Sequence, residues 1–289
     1  GQNYAYELNR VFFEQLAMRR PDYFLRAAGR TPAETIARVI ERSDGVMARE
    51  RPDAVLVLGD TNSCLAVIAA KRRRIPIFHM EAGNRCFDQR VPEEINRRIV
   101  DHVSDINMPY TEHARRHLLA EGLRPETIIK AGSPMREVLE YYRPRIERSR
   151  ILARLGLSPR RYFVASCHRE ENVDSVGNLL ALLDSFNALA GRYGKPIVFS
   201  AHPRTRKKLA SLKGRARLDR RIRPIRPPGL LDYVKLQAQA LCVLSDSGTI
   251  TEESAILNFP AVTIRQAHER PEGMDEGTLV MCGLRREDV

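Results

Sequence analysis

Apolar runs of strand length recur along this chain, and each is followed by a segment with helical periodicity. The runs at 54–58, 75–78 and 106–108, with a weaker one at 128–129, form a first series. Those at 162–166, 196–199, 222–225, 241–244 and 261–264 form a second. Helical patterns at 61–73, 92–103, 111–121, 176–193, 230–240 and 248–257 lie between them. Strands that are apolar throughout and alternate with helices predict parallel sheets with both faces covered. The stretch Tyr141-Tyr142-Arg143-Pro144-Arg145-Ile146-Glu147-Arg148-Ser149 is polar, holds a proline and breaks the alternation. It places a domain junction between about 132 and 150, and the expected domains are 1–136 and 137–289. The fold class is α/β, with two Rossmann-like doubly wound domains. Their ligands are expected in a cleft lined by the carboxyl ends of the strands.

Length and composition agree with this. The 289 residues suffice for two domains, and 43 % hydrophobic content is enough for a substantial core. No apolar run approaches the roughly 20 residues that span a bilayer. The five cysteines are dispersed, without CxxC spacing, which points to reduced thiols in a cytoplasmic protein and away from a zinc site. The formal charge of +12 is spread along the chain as arginine. Its densest cluster, Lys71-Arg72-Arg73-Arg74, falls at an expected helix end, where cations meet the dipole favourably. With no zinc-finger spacing and no RNA-binding aromatic motif, an anionic small ligand accounts for the charge better than nucleic acid.

Residues just after strands are the ones to weigh. Ser245-Asp246-Ser247-Gly248-Thr249 follows an apolar run and opens a helix, with Glu252 and Glu253 one turn on. Helix N-termini present unpartnered N–H groups and favour anions, so this turn can grip a diphosphate while the carboxylates hold ribose. The alternative is that Asp246 or Ser247 only caps the helix. His168-Arg169 and His202-Pro203-Arg204 also follow strands and suit anion binding, with a buried structural histidine as the alternative in each case. Cys167 beside His168 is discounted as a nucleophile–base pair, because strand neighbours point to opposite faces. In the first series, Asp60 follows Gly59, Glu81 follows His79-Met80, and Glu93 and Glu94 open a helix behind Pro92. Each has an ordinary structural reading as a cap, an ion-pair partner or a first-turn acid. Together, Asp60, Glu81 and Glu93 are three carboxylates at one cleft edge, a set suited to proton transfer.

Six ordered motifs carry a family resemblance. Gly59-Asp60-Thr61, His79-Met80-Glu81-Ala82-Gly83, Pro92-Glu93-Glu94-Ile95-Asn96-Arg97, His168-Arg169-Glu170, Ser245-Asp246-Ser247-Gly248 with Glu252-Glu253, and Glu269-Arg270-Pro271-Glu272 occur in that order. The chain resembles the non-hydrolysing UDP-N-acetylglucosamine 2-epimerase family over essentially its whole length. The resemblance implies a GT-B-like fold and C2 epimerisation of a UDP-2-acetamido sugar by elimination of UDP and re-addition, with no cofactor and no metal. It implies Asp60, Glu81, Glu93 and His168 as catalytic residues. Ser247, Gly248, Thr249, Glu253, Arg270, His202 and Arg169 would bind UDP. In bacterial relatives an activating second UDP-sugar makes contacts that map to Gln2, Arg169 and His202. Gly248-Thr249 in place of the family's Gly-Gly, with Gly83-Asn84-Arg85-Cys86-Phe87-Asp88 and Cys167 to Ser175, is similar to the subgroup acting on modified UDP-sugars for surface polysaccharides. Those include UDP-N-acetyl-L-fucosamine-forming and UDP-2,3-diacetamido-2,3-dideoxyglucuronate 2-epimerases. The implied partners are a UDP-sugar and a second copy of the chain, with no nucleic acid and no membrane. A GT-B glycosyltransferase is the alternative function. A hydrolysing epimerase and a non-enzymatic nucleotide-binding module stand behind it. The family pattern further implies an opening strand with its phosphate turn before Gly1 and helices after Val289, roughly 40 residues at each end, so turnover by this chain alone is expected to be absent.

Overall fold

A computed structural model describes residues 9–89, 91–212, 217–264 and 279–289, with Glu170 and Glu171 described in backbone only. Contacts divide the chain into two compact units. One is Pro21–Pro134, and the other joins Gly1–Arg20 to Met135–Val289.

In the 21–134 unit, helix Pro32–Glu50 comes first. Its sequence signal is Thr31-Pro32 with Glu34, and Thr31 Oγ1 accepts the Glu34 N–H at 3.1 Å. Three parallel strands follow in the order β1 (Val55–Leu58), β2 (Ile77–Met80), β3 (Ile106–Met108). Helices Val67–Arg72 and Pro92–Val103 cross between them, and Glu112–Ala120 follows, capped by Thr111. The expected 61–73 helix opens instead as a 3-10 turn, Asn62–Ala66. The expected 75–78 strand lies two residues later. Arg74 is left-handed (φ 59°), and the Ile75 N–H turns back to the Ala70 carbonyl, so residue 75 closes the helix and cannot enter the ladder. The 128–129 run makes only one bridge, Ile128 to Asn107.

Coverage of this sheet also departs from expectation. Val55, Val57 and Ile77 pack with Met47, Val67 and Val100. On the other face the register aligns Leu56 with Phe78 and Ile106, and Leu58 with Met80 and Met108. Leu56 and Leu58 are 63 % and 58 % exposed, so among the described residues that face is open at β1.

The 135–289 unit is a six-stranded parallel sheet: β4 (Phe163–Cys167), β5 (Ile197–Ala201), β6 (Ile222–Ile225), β7 (Cys242–Ser245), β8 (Ala261–Ile264) and β9 (Leu279–Cys282). The order is β6-β5-β4-β7-β8-β9, a doubly wound arrangement that reverses between β4 and β7. Both faces are covered. Phe163, Ala165 and Cys167 pack with Leu179, Leu183 and Phe186 of helix Val176–Tyr193, while Tyr162 and Val164 pack with Leu236, Val243, Ile250 and Phe259. The 141–149 stretch is not irregular: it ends helix Met135–Glu147, with Pro144 inside. Leu139 and Ile146, seven residues apart, bury one face against Leu231 and Val234 of helix Leu230–Ala238. Tyr142 on that helix donates to the Leu16 carbonyl at 2.8 Å, tying helix Arg10–Leu16 to this unit.

Gly83 has φ +81°, and a Cβ there would lie 2.3 Å from the Ala114 carbonyl oxygen. Gly83→Ala is expected to cost about 3 kcal/mol or more through backbone strain and that clash. Urea denaturation monitored by circular dichroism reads the loss.

Candidate functional site

In a doubly wound sheet, ligands bind outside the carboxyl ends of the strands where the order reverses. Here those ends are β4 and β7, and the residues leaving them are His168 and Asp246. Asp246 is fully buried. It does not cap the following helix, which settles one open alternative. It turns back instead and accepts the His168 N–H at 3.1 and 3.0 Å, the Arg169 N–H at 3.0 Å and Asn172 Nδ2 at 3.1 Å. His168 Nδ1 also lies 3.0 Å from its Oδ1. Burial alone would push this carboxyl up. The His168 hydrogen bond and charge, with the Arg169 N–H and Asn172, outweigh that and leave it below its ordinary value of 3.8. Asn172, a residue the sequence reading did not single out, also donates to the Ile264 carbonyl at the end of β8.

His168 is thereby oriented. Nδ1 serves Asp246, which leaves Nε2 to act outward on a side chain 37 % exposed. His202, leaving β5, caps helix Pro203–Ser211 by accepting the Arg204 N–H at Nδ1, so its hydrogen sits on Nε2. Its ring centroid lies 6.4 Å from that of His168. Burial first, then the positive surroundings of His168, Arg204 and Arg206, lower the His202 value below 6.5. Cys167, between the strand and His168, is wholly buried, and burial with the nearby Asp246 charge holds its thiol well above its ordinary value. It is inert core.

After Asp246, Ser247 Oγ sits 3.0 Å from Thr249 Oγ1 and accepts the Thr249 N–H at 3.4 Å. Gly248 lies between them at the mouth of helix Ile250–Leu257, whose first N–H groups point out of the turn. Glu253 is buried, and both its oxygens are held: Thr249 Oγ1 donates to Oε1 at 3.0 Å and Gln237 Nε2 to Oε2 at 2.6 Å. Gln237, and Tyr233 one helical turn earlier, are not among the residues singled out from the sequence. Burial and the charge of Glu253 raise the Tyr233 hydroxyl above its ordinary value. A Tyr-x-x-x-Gln spacing on the helix before β7 is the signal that could have found both.

In the 21–134 unit, Asp60 leaves β1 and its Oδ2 accepts from Arg97 Nε at 2.8 Å, while Asn96 Nδ2 donates to its carbonyl at 2.9 Å. Glu81 leaves β2 in a left-handed conformation (φ 66°), with Asn84 Nδ2 at 3.4 Å from Oε1. Its Oε2 comes within 3.3 Å of the position a Cβ on Gly59 would take. Asp60 and Glu81 therefore share one end of the sheet. After burial and hydrogen bonds from Thr61, both charges act on the Cys64 thiol, which is pushed up to about 11. Glu93 is half-buried in the first turn of helix Pro92–Val103, on the same face as Arg97 four residues on. Its neighbour Glu94 is the structural acid: it is buried and accepts from the Cys86 N–H and Arg97 Nη1 at 3.1 Å each. Arg97, within the Pro92–Arg97 motif, joins Asp60 to Glu94. Arg270, with its neighbours from His268 to Gly273, and Gln2 lie outside the described residues. Among the described residues no three His, Cys, Asp or Glu side chains could hold a metal ion, and no helix is long and apolar enough to cross a membrane.

A helix-opening turn at the switch point of a doubly wound sheet, with a buried carboxylate beside it, is the kind of place where α/β enzymes bind nucleotides. The sequence model of the UDP-N-acetylglucosamine 2-epimerase family matches residues 1–289, and the chain belongs to that family. The solved structure of a UDP-N-acetylglucosamine 2-epimerase from Rickettsia bellii is 58 % identical with TM-score 0.91, covering 100 % of this chain and 76 % of that one. The Methanocaldococcus jannaschii enzyme, solved with UDP-GlcNAc and UDP, is 33 % identical with TM-score 0.91, covering 100 % and 81 %. A UDP-2,3-diacetamido-2,3-dideoxy-D-glucuronate 2-epimerase from Pseudomonas aeruginosa is 34 % identical over 100 % of this chain and 80 % of its own length. The fold is α/β and GT-B-like, and the chain is an isomerase, an epimerase of UDP-sugars.

The titrations fix a sign. With its native value below 6.5, His202 binds a proton in the unfolded chain before the folded one, so its contribution is whole above pH 6.5 and is lost as pH falls below it. Asp246, also lowered, adds a second loss as pH falls from 3.8 through its native value. Urea midpoints measured from pH 7.5 to 5 should decline, and His202→Gln should decline less steeply than the parent.

Proposed function

We propose that this enzyme inverts C2 of a UDP-2-acetamido sugar by elimination and re-addition. The C2 hydrogen is not acidic, because no carbonyl adjoins C2 in the ring. Removal therefore accompanies loss of the leaving group: a base takes H2, the C1–O bond to UDP breaks, and a 2-acetamidoglycal and UDP result. A proton returned to C2 from the opposite face, with UDP adding back at C1, gives the epimer. No atom is gained or lost.

The observation that carries this reading is the Asp246–His168 pair beside Ser247-Gly248-Thr249. Negative charge grows on the departing diphosphate. Helix N–H groups fixed beforehand, and an imidazole held by a buried carboxylate with Nε2 outward, stabilise or protonate it. Glu253, held from both sides, takes ribose hydroxyls, and Arg169, His202 and Arg270 supply further contacts to the nucleotide. Asp60, Glu81 and Glu93 exchange the C2 proton. Asp60 and Glu81 stand at one sheet end, which suits removal and return by different groups. The substrate proposed is a modified UDP-sugar for a surface polysaccharide, supported by the wording of Gly248-Thr249 and by the likeness to the P. aeruginosa enzyme. A cytoplasmic homodimer is the form proposed to act.

Proton NMR in heavy water with a panel of UDP-sugars, run on the full-length protein and its variants, tests the reading. Deuterium should enter C2 as the epimer forms, with no acceptor present. A requirement for an acceptor would mark a glycosyltransferase, and steady release of UDP a hydrolysing enzyme. Asp60→Asn and Glu93→Gln should each lower kcat by about 1,000-fold, within the range for a lost acid or base, with UDP affinity nearly unchanged. Calorimetric titration with UDP and the NMR rate together check this, and full rate in both variants would overturn the assignment.

A further inference from the structure

Both turns that carry Asp60 and Glu81 are fastened to one buried side chain that the reaction above does not use. Asp101, on helix Pro92–Val103, is fully buried. Its Oδ1 lies 2.8 Å from His79 Nδ1, and its carboxylate accepts the Gly83 N–H at 3.3 and 3.2 Å. Arg85 Nη1 pairs with Oδ2 at 2.8 Å and holds Glu121 with its other nitrogens. His79 is 1 % exposed, and its Nε2 lies 2.9 Å from the Gly59 carbonyl oxygen. A carbonyl only accepts, so Nε2 carries the hydrogen.

These contacts close a path. Gly59 (φ +75°) is the turn residue that delivers Asp60, and Gly83 (φ +81°) ends the turn that begins at Glu81 (φ +66°). The ring of His79 reaches the first turn, and Asp101 reaches the second directly. Apolar packing alone could fill this space. It would not set the direction of the Gly59 carbonyl, whereas a buried donor aimed at it does.

We infer that His79 and Asp101 are positioning residues: a buried clamp that fixes the Asp60 turn relative to the Glu81 turn. The inference rests on the reading of those carboxylates as the C2 acid and base. Displacement of a reacting group by about 1 Å costs on the order of 100-fold in rate. The clamp therefore governs kcat and leaves nucleotide binding, which belongs to the other unit, alone.

A pair of variants differing by one methylene tests it. Glutamine at 79 can place its amide nitrogen where Nε2 stands and keep the Gly59 carbonyl partnered. Asparagine can still donate to Asp101 but falls short of Gly59. His79→Asn is expected to lower kcat about 100-fold, with KM and UDP affinity within about threefold of the parent. His79→Gln should stay within about tenfold of the parental kcat. Hydrogen exchange at residues 58–62 should accelerate in His79→Asn and not in His79→Gln. Equal kcat in the two variants, or a fall in UDP affinity matching the fall in kcat, would overturn the proposal. Should His79→Asn fail to fold, Asp101→Asn decides: it removes the carboxylate that orients His79 and pairs with Arg85, so kcat about 100-fold down with UDP affinity within about threefold supports the clamp, and parental kcat defeats it. Asp60→Asn in the same assay separates the two levels. Full rate there sinks the catalytic reading, whereas an inactive Asp60→Asn beside equally active His79 variants sinks only the clamp.

Discussion

A single buried carboxylate organises the nucleotide-binding unit. Asp246 leaves water completely, a step that costs several kcal/mol for an unpaired ion. It is tolerated because the β4 turn supplies backbone N–H groups from His168 and Arg169, and Asn172 and the His168 ring add more. Those bonds are also what shape the site. With Asp246 turned toward β4, the Ser247-Gly248-Thr249 turn is left to the helix mouth, and His168 is held in one orientation. A cap on the helix would have used the same carboxylate to fill the anion position.

The 21–134 unit repeats the device with other residues. Asp101 is buried at the strand ends, accepts the Gly83 N–H, and is matched by Arg85 and His79. In each unit a buried aspartate accepts hydrogen bonds from the turns that carry the candidate side chains, and those of Asp60 and His168 stay more exposed. The division follows from dielectric. A charge in the interior is strong and immobile once its partners are complete, and a group that exchanges protons with a substrate must be reached by it.

Much of this was legible beforehand because it is local. The strand at 106–108, the helices at 92–103 and 176–193 and the strands at 222–225 and 261–264 match the pattern residue for residue, since burial periodicity and caps are written in adjacent positions. The errors fall where a hydrogen bond or contact outside the periodic pattern decides. Ile75 reads as strand, but its N–H closes a helix. The 141–149 stretch reads as a linker because it is polar and carries Pro144, yet Leu139, Tyr142 and Ile146 had helical spacing and found Leu231, Val234 and Leu16 to bury against. Asp60, Glu81, His168 and Glu253 could be named from their places after strands. Asn172 and Asp101 could not, because a supporting residue is recognised by what it touches.

The sequence alone determined the α/β class, the two series of strands, the family and the candidate residues at the strand ends. Each of these depends on periodicity, on spacing within a turn, or on short ordered motifs. Tertiary structure decided which of those residues are held and by what: that Asp246 serves His168 and not a helix cap, that Glu94 is buried against Cys86 and Arg97, and that among the described residues one face of the first sheet is open at Leu56 and Leu58. Hydrogen bonds and burial join residues far apart in the chain, and no pattern of neighbours encodes which pair will meet.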